Sequence, residues 1–313
     1  MSRACSRQAV YDPPVAVAEV VELVERPGRL RALVAGMRPR QWPKNLLLFA
    51  GIVFAAELGD GRRWLEAILA FAAFCAASSA AYLANDVRDA PLDRRHPVKR
   101  ARPVASGDLP GQAALAAAAF LAAAAVGAAA ALGPWSLAFM AGFLALQTAY
   151  TLRLKHAVLL DVTAIGGLFV IRAAAGAEAV DVPISPWLLI CTALLALFLA
   201  LAKRRAELVL VSAEETPGRP VLRGYSLALA DGLIAAVAAS TVIAYSLYAF
   251  TAHDSKLLAV TIPLVLYGIL RYLLLVHRDD LGEEPEEVLL RDVPLGLTVV
   301  AWASAAAAIL AST

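Results

Sequence analysis

Residues 64–102 read W-L-E-A-I-L-A-F-A-A-F-C-A-A-S-S-A-A-Y-L-A-N-D-V-R-D-A-P-L-D-R-R-H-P-V-K-R-A-R. The segment up to Ala84 carries one charge, Glu66. It is long enough to cross the ~30 Å hydrocarbon layer of a bilayer as a helix. Directly after it come an Asn and three acids, Asn85, Asp86, Asp89 and Asp93, then a dense basic run. An apolar span that ends in such a cluster points to a helical membrane protein with its chemistry at one surface.

The rest of the chain agrees with this reading. Of its 313 residues 60% are hydrophobic and 17% charged, and the mean hydropathy is +0.69, which excludes a soluble globular domain. Further apolar stretches lie at 42–58, 112–132, 134–152, 157–178, 186–202, 230–250, 256–276 and 294–311, making nine expected spans with 64–86. Ten-residue segments of alternating polarity are absent, which argues against a β-barrel. The expected fold is an all-α integral membrane bundle over 31–313. It is preceded by a loosely ordered arm, 1–30, in which Glu19, Glu22 and Glu25 break any signal-peptide core. The span at 112–132 is nearly all Ala, which allows close helix approach where hydrophobicity alone does not drive association. Such Ala- and Gly-rich faces also permit self-association.

Lys and Arg are unevenly placed. With the N-terminus inside, the inner loops and leading segment hold 23 of the 28 basic residues, and the outer loops hold only Arg62, Arg63 and Lys256. The positive-inside rule then places the 85–102 cluster in the cytoplasm. Cys5, Cys75 and Cys191 have no pairing or metal spacing. The long inner connections, about 86–110, 203–229 and 277–293, are where function is expected.

Asn85, Asp86 and Asp89 lie at i, i+1 and i+4 and share a helix face. Pro91 is expected to end or bend that helix, so Asp93 should arrive from a loop. Carboxylates this close repel unless a cation sits among them, and their oxygens form a partial shell for Mg²⁺. Arg95, Lys99, Arg100 and Arg102 beside them suit a polyanion. Together they suggest a Mg²⁺-bridged diphosphate at the membrane surface.

Four stretches, R-P-R-Q-W-P-K-N at 38–45, N-D-V-R-D-A-P-L-D-R-R-H-P-V-K-R-A-R-P at 85–103, Y-T-L-R-L-K at 150–155 and A-K-R-R-A-E-L at 202–208, resemble the UbiA superfamily of intramembrane prenyltransferases. The likeness is closest to its phosphoribosyltransferase branch, which serves cell-wall arabinan synthesis in actinobacteria. The resemblance implies about nine helices, a plasma-membrane location, Mg²⁺, and a diphosphate-binding role for Lys44. It also matches Tyr150 and Lys155 to a Tyr and a Lys of the superfamily. Typical members carry a second acidic motif, D-x-x-x-D, where this chain has Lys203, Arg204, Arg205 and Glu207. The departure favours Glu207 on one metal or a ribose hydroxyl, with Lys203 and Arg204 on phosphate. The expected activity is transfer of 5-phosphoribosyl from phosphoribosyl diphosphate (PRPP) to a polyprenyl phosphate, with no nucleic-acid partner. Alkylation of an aromatic ring by a prenyl diphosphate is the alternative within the superfamily, and a membrane transporter is the alternative outside it.

Asp161 and Arg172 fall inside one expected span and are read as substrate-binding. Ionisable groups there face a cavity or each other. Eleven residues make about 16 Å of rise, which prevents direct pairing on one helix, so each requires another partner or a ligand. The stretch from Glu207 to Ser226 is amphipathic and turns at Pro217-Gly218, as a surface helix or lid would. It holds Arg219, Arg223 and Tyr225 as further phosphate-binding candidates.

Overall fold

The computed structural model describes residues 28–54, 59–96, 98–214, 220–251, 256–278, 288 and 291–312. The arm expected at 1–30 lies almost wholly outside the described residues, as do Arg219 and the Pro217-Gly218 turn. Among the described residues eight helices are long and apolar enough to cross a membrane. A short helix α1 (Arg29–Met37) leads in, and α2 is Ala50–Phe54. The long helices are α3 (Gly61–Asp93), α5 (Gly111–Leu132), α6 (Pro134–Leu152), α7 (Leu160–Ala179), α8 (Pro186–Glu214), α9 (Leu227–Thr251), α10 (Ile262–Arg278) and α11 (Val293–Ser312). A single turn, α4 (Pro103–Ser106), comes after α3.

The span expected at 42–58, of which 55–58 lie outside the described residues, differs from an ordinary helix over 42–54. It is a 3₁₀ segment, Pro39–Phe49, followed by α2. Pro39 and Pro43 stand four apart, and Pro43 has no N–H to donate to the Pro39 carbonyl as an α-helix requires. The segment is pinned to α7 by glycine contacts. A Cβ on Gly176 would meet the Leu48 backbone, with Leu48 Cα at 2.6 Å, and one on Gly51 would lie 2.6 Å from Ala177 Cα. Only glycine permits so close an approach of two backbones.

Packing elsewhere obeys the small-residue logic. Ala114, Ala118, Ala125 and Ala129 form the buried stripe of α5, against Ala73, Ala77 and Ala80 of α3. Phe74, Met140, Phe143 and Leu168 fill the core between α3, α6 and α7. Phe198, Ile234, Ile269, Tyr272 and Val276 fill the core between α8, α9 and α10. At 33 and 29 residues, α3 and α8 are about 50 and 43 Å long, so both outrun the hydrocarbon layer.

Ion pairs that join different helices gather at one end of the bundle. There Arg88 of α3 reaches the Thr151 carbonyl at the end of α6. Arg205 of α8 meets Asp231 of α9, which also faces His277 of α10. Arg271 of α10 clasps Asp292 ahead of α11.

One expectation about α3 is overturned. The helix runs through Pro91 to Asp93, so Asp93 does not come from a loop. Pro91 withholds only one N–H, and Arg94 N still donates to the Ala90 carbonyl beyond it. Asp86, Asp89 and Asp93 therefore share one helical face at i, i+3 and i+7. Glu207 to Glu214 likewise continue α8 rather than starting a separate surface helix.

Candidate active site

Two clusters of charged groups stand at the polar end. The first is built on the acidic face of α3. Asp86 is 2% exposed and accepts hydrogen bonds from Arg38 Nη2 at 2.5 Å and Arg102 Nη1 at 3.5 Å. The same Arg102 nitrogen donates to Asp93 at 2.7 Å. Asp89 accepts from Asn85 at 3.0 Å and from Lys155 Nζ at 3.4 Å. Cations from three elements thus converge on carboxylates that would otherwise repel.

Arg38 carries a role that the motif reading missed, although it opens the stretch R-P-R-Q-W-P-K-N. It sits between α1 and the 3₁₀ segment with φ 54° and ψ 62°, a left-handed conformation uncommon for a non-glycine residue. That geometry ends α1 and turns the guanidinium over the Tyr82 ring, 4.8 Å from its centroid. Pro39 after it, a residue type well suited to begin a helix, was the available signal.

Arg102, between the 3₁₀ turn Lys99–Ala101 and α4, meets Asp93 at the end of α3. Arg95 and Arg100 are exposed beside it, and Lys99 is half-buried. Lys44, expected at the diphosphate, donates to Gln41 on its own 3₁₀ segment.

The second cluster joins α7 to α8. Asp161 is fully buried, at 0% exposure, and Arg204 is 1% exposed. Arg204 Nε donates to Asp161 Oδ2 at 2.6 Å, and its Nη1 to Glu207 at 2.5 Å. Tyr225 donates its hydroxyl proton to Asp161 Oδ1 at 2.7 Å. Burial, then the bond to Asp161, pushes the Tyr225 phenol up to about 12. Tyr150, at the end of α6, lies within electrostatic range of Arg204. Lys203 is half-buried beside it. Arg223 is exposed.

Arg172 belongs to neither cluster. It is buried three turns down α7 from Asp161, where its Nε donates to Asn45 at 2.7 Å and its Nη1 to the Leu168 carbonyl at 3.0 Å. Phe143 and Phe169 lie under its guanidinium at 4.7 and 5.3 Å. Asn45 also donates to Cys75 Sγ at 3.2 Å. Arg172 therefore stitches the broken first span to α7 and α3. The requirement that Asp161 and Arg172 find separate partners is met by Arg204 and Asn45.

Among the described residues no three His, Cys, Asp or Glu side chains close into a ready metal cage. Asp86 and Asp93 nevertheless point their oxygens at one nitrogen of Arg102, a position that already favours positive charge. Mg²⁺ binds through one or two carboxylates and completes its shell with phosphate oxygens and water, so this donor set fits it. The α6–α7 connection links the two clusters, since Lys155 reaches Asp89 while the Leu159 N–H donates to Tyr225 at 2.9 Å.

A model of the UbiA prenyltransferase family matches residues 46–290. The decaprenyl-phosphate phosphoribosyltransferase of Mycolicibacterium smegmatis is 36% identical over 287 residues, covering 86% of this chain and 89% of that protein. The Corynebacterium glutamicum protein of the same name is 33% identical over 279 residues, covering 86% and 84%. Among solved structures, a UbiA homologue from Archaeoglobus fulgidus bound to DMAPP and Mg²⁺ superposes with a TM-score of 0.70 at 19% identity, covering 90% of this chain and 99% of that one.

Proposed function

The chain belongs to the UbiA prenyltransferase family, and on that premise we propose that it transfers the 5-phosphoribosyl group of phosphoribosyl diphosphate to a polyprenyl phosphate such as decaprenyl phosphate, releasing diphosphate. The observation that carries the reading is the second cluster. Where typical members have a second pair of acids, Arg204 lies buried between Asp161 and Glu207 with Lys203 beside it. Arg204, expected on phosphate, is instead engaged by these two acids, so the cluster with Lys203 carries no net negative charge and repels two phosphorylated substrates less than an all-acid motif would. The names of the relatives support the same choice.

In this reading Asp86, Asp89 and Asp93, with Asn85, hold Mg²⁺, which when bound neutralises charge on the diphosphate. Arg38, Arg102 and Lys155, now paired with the acids, donate to phosphate oxygens as the diphosphate enters. Lys44, Arg95, Lys99 and Arg100 extend that cationic surface. Fixed donors of this kind stabilise the negative charge that grows on the leaving group as the anomeric C–O bond loosens. Glu207 accepts from a ribose hydroxyl in this reading. The acceptor phosphate oxygen bonds to the anomeric carbon while the diphosphate departs, which inverts that centre. The acceptor is already anionic, so the step requires little general-base help. Basic residues concentrate in the loops read as internal, so the site opens to the cytoplasm, where a soluble sugar-phosphate donor is available.

The test incubates purified protein with polyprenyl phosphate, Mg²⁺ and PRPP labelled in the ribose, and tracks label into the lipid phase. Label should transfer, and chelation should stop it. Folded protein that leaves all label in water, yet alkylates an aromatic acceptor from a prenyl diphosphate, would sink the reading.

A further inference from the structure

The sequence offers Tyr225 as a candidate phosphate ligand, but its hydroxyl is already engaged. It donates to Asp161 Oδ1 at 2.7 Å and accepts from the Leu159 N–H at 2.9 Å. The side chain is 6% exposed. What it holds is unusual, because Leu159 has φ 67° and ψ −39°. A bulky side chain rarely occupies that half of backbone space, and such a conformation persists only where surrounding contacts impose it.

Beside the bond from the Thr163 N–H to the Leu159 carbonyl, two contacts from the 220–225 segment bear on this turn. One is the Tyr225 hydroxyl. The other is Gly224, where an added Cβ would collide with Cγ2 of Val158. The 220–225 segment therefore clasps the 158–159 turn by a hydrogen bond and a glycine contact. Three residues before that turn, on the 3₁₀ segment Leu154–His156, stands Lys155, whose Nζ reaches Asp89.

We propose that Tyr225 is a positioning residue for the transfer reaction: by holding Leu159 in its strained turn, it sets the reach of Lys155 to Asp89 in a cluster that Tyr225 itself does not touch. The inference rests on the phosphoribosyl-transfer reading, because it assigns Lys155 to the donor diphosphate. It makes the two clusters one device, in which the 220–225 segment ahead of α9 governs a cation of the α6–α7 connection that reaches Asp89 of α3. The phenol contributes geometry and gives nothing to the substrate.

The experiment is a double-mutant cycle on the full chain, with Tyr225→Phe, Lys155→Met and the pair, reading kcat and the KM for phosphoribosyl diphosphate. Tyr225→Phe should raise the donor KM about tenfold, the scale of one lost hydrogen bond. In the Lys155→Met background the same change should move KM less than about twofold, since residues acting through one contact are not additive. A full tenfold loss in both backgrounds would overturn the proposal, as would an unchanged KM in the single variant.

Hydrogen exchange of the 153–160 region supplies a readout that does not depend on activity. It should quicken in Tyr225→Phe while the middle of α9 stays as in the wild type, and unaltered exchange would refute the clasp. Gly224→Ala, which pushes the same turn through Val158, should act in the same direction and serves if the first variant fails to fold. If wild-type protein transfers no label, the functional reading falls, while hydrogen exchange still decides the clasp.

Discussion

Replacing Arg204 by Met should be among the most damaging single changes in this chain. The guanidinium is 1% exposed and its partner Asp161 is 0% exposed. Their bond is 2.6 Å long, and a second bond of 2.5 Å reaches Glu207. Met matches the length of the Arg stem but strands a buried carboxylate, to which Tyr225 still donates. Removing one partner of a buried pair costs about 3–5 kcal/mol, most of it from the charge left behind. Spread over a protein of this size, the midpoint of thermal unfolding in detergent should fall by on the order of 10 °C. Replacing Asp161 by Leu in the same chain removes the stranded charge, and an apolar pair of similar volume is often neutral. The double variant should therefore unfold closer to wild type than Arg204→Met does, while remaining inactive because Glu207 has lost its anchor. The reasoning fails if Arg204→Met unfolds within about 2 °C of wild type, or if Asp161→Leu adds its own full loss to that of Arg204→Met.

Three further outcomes can be checked. Asp86→Asn keeps an oxygen for Arg38 and Arg102 but removes a charge, so the protein should stay monodisperse while transfer falls by at least about a hundredfold; near-normal turnover would remove Asp86 from the metal site. Gly176→Ala should destabilise the bundle by about 1–3 kcal/mol or more, because its Cβ would run into the Leu48 backbone rather than a flexible side chain, whereas Gly127→Ala, which meets open space, should unfold as the wild type does. The Tyr225 phenol holds its proton more tightly folded, near 12, than unfolded, near ~10. Its stabilisation is thus complete below pH ~10 and is lost as pH rises toward ~12, so the gap in unfolding midpoint between wild type and Tyr225→Phe should narrow above pH ~10 and stay constant below it.

Much of the architecture could be read from local pattern. Stretches of some twenty apolar residues can lie nowhere but in the bilayer, and eight of the nine expected spans match helices of the required length. The first expected span was legible as apolar but not as 3₁₀. The spacing of Pro39 and Pro43 warned of disruption, yet the tight seat on Gly176 is a property of another helix. The acidic face of α3 was legible from periodicity, and only the ending of the helix was misjudged, since a proline in the last turns removes a single bond.

Partner choice is another matter. Arg38 meets Asp86 across 48 residues, Arg204 meets Asp161 across 43, and Arg172 meets Asn45 across 127. In lipid no hydrophobic gain distinguishes one helix neighbour from another, so these pairings depend on small-residue contacts and backbone approach that only the packed bundle reveals. By itself the sequence determined that the chain spans a membrane, that one end is charged, that an acidic face stands beside a cationic one, and which family these motifs resemble. Tertiary structure decided which cation serves which acid, and it converted Tyr225 from a possible ligand into a clasp. A hydroxyl's function is set by the two atoms it touches, and here those atoms lie more than 60 residues away, on a different helix and its preceding turn.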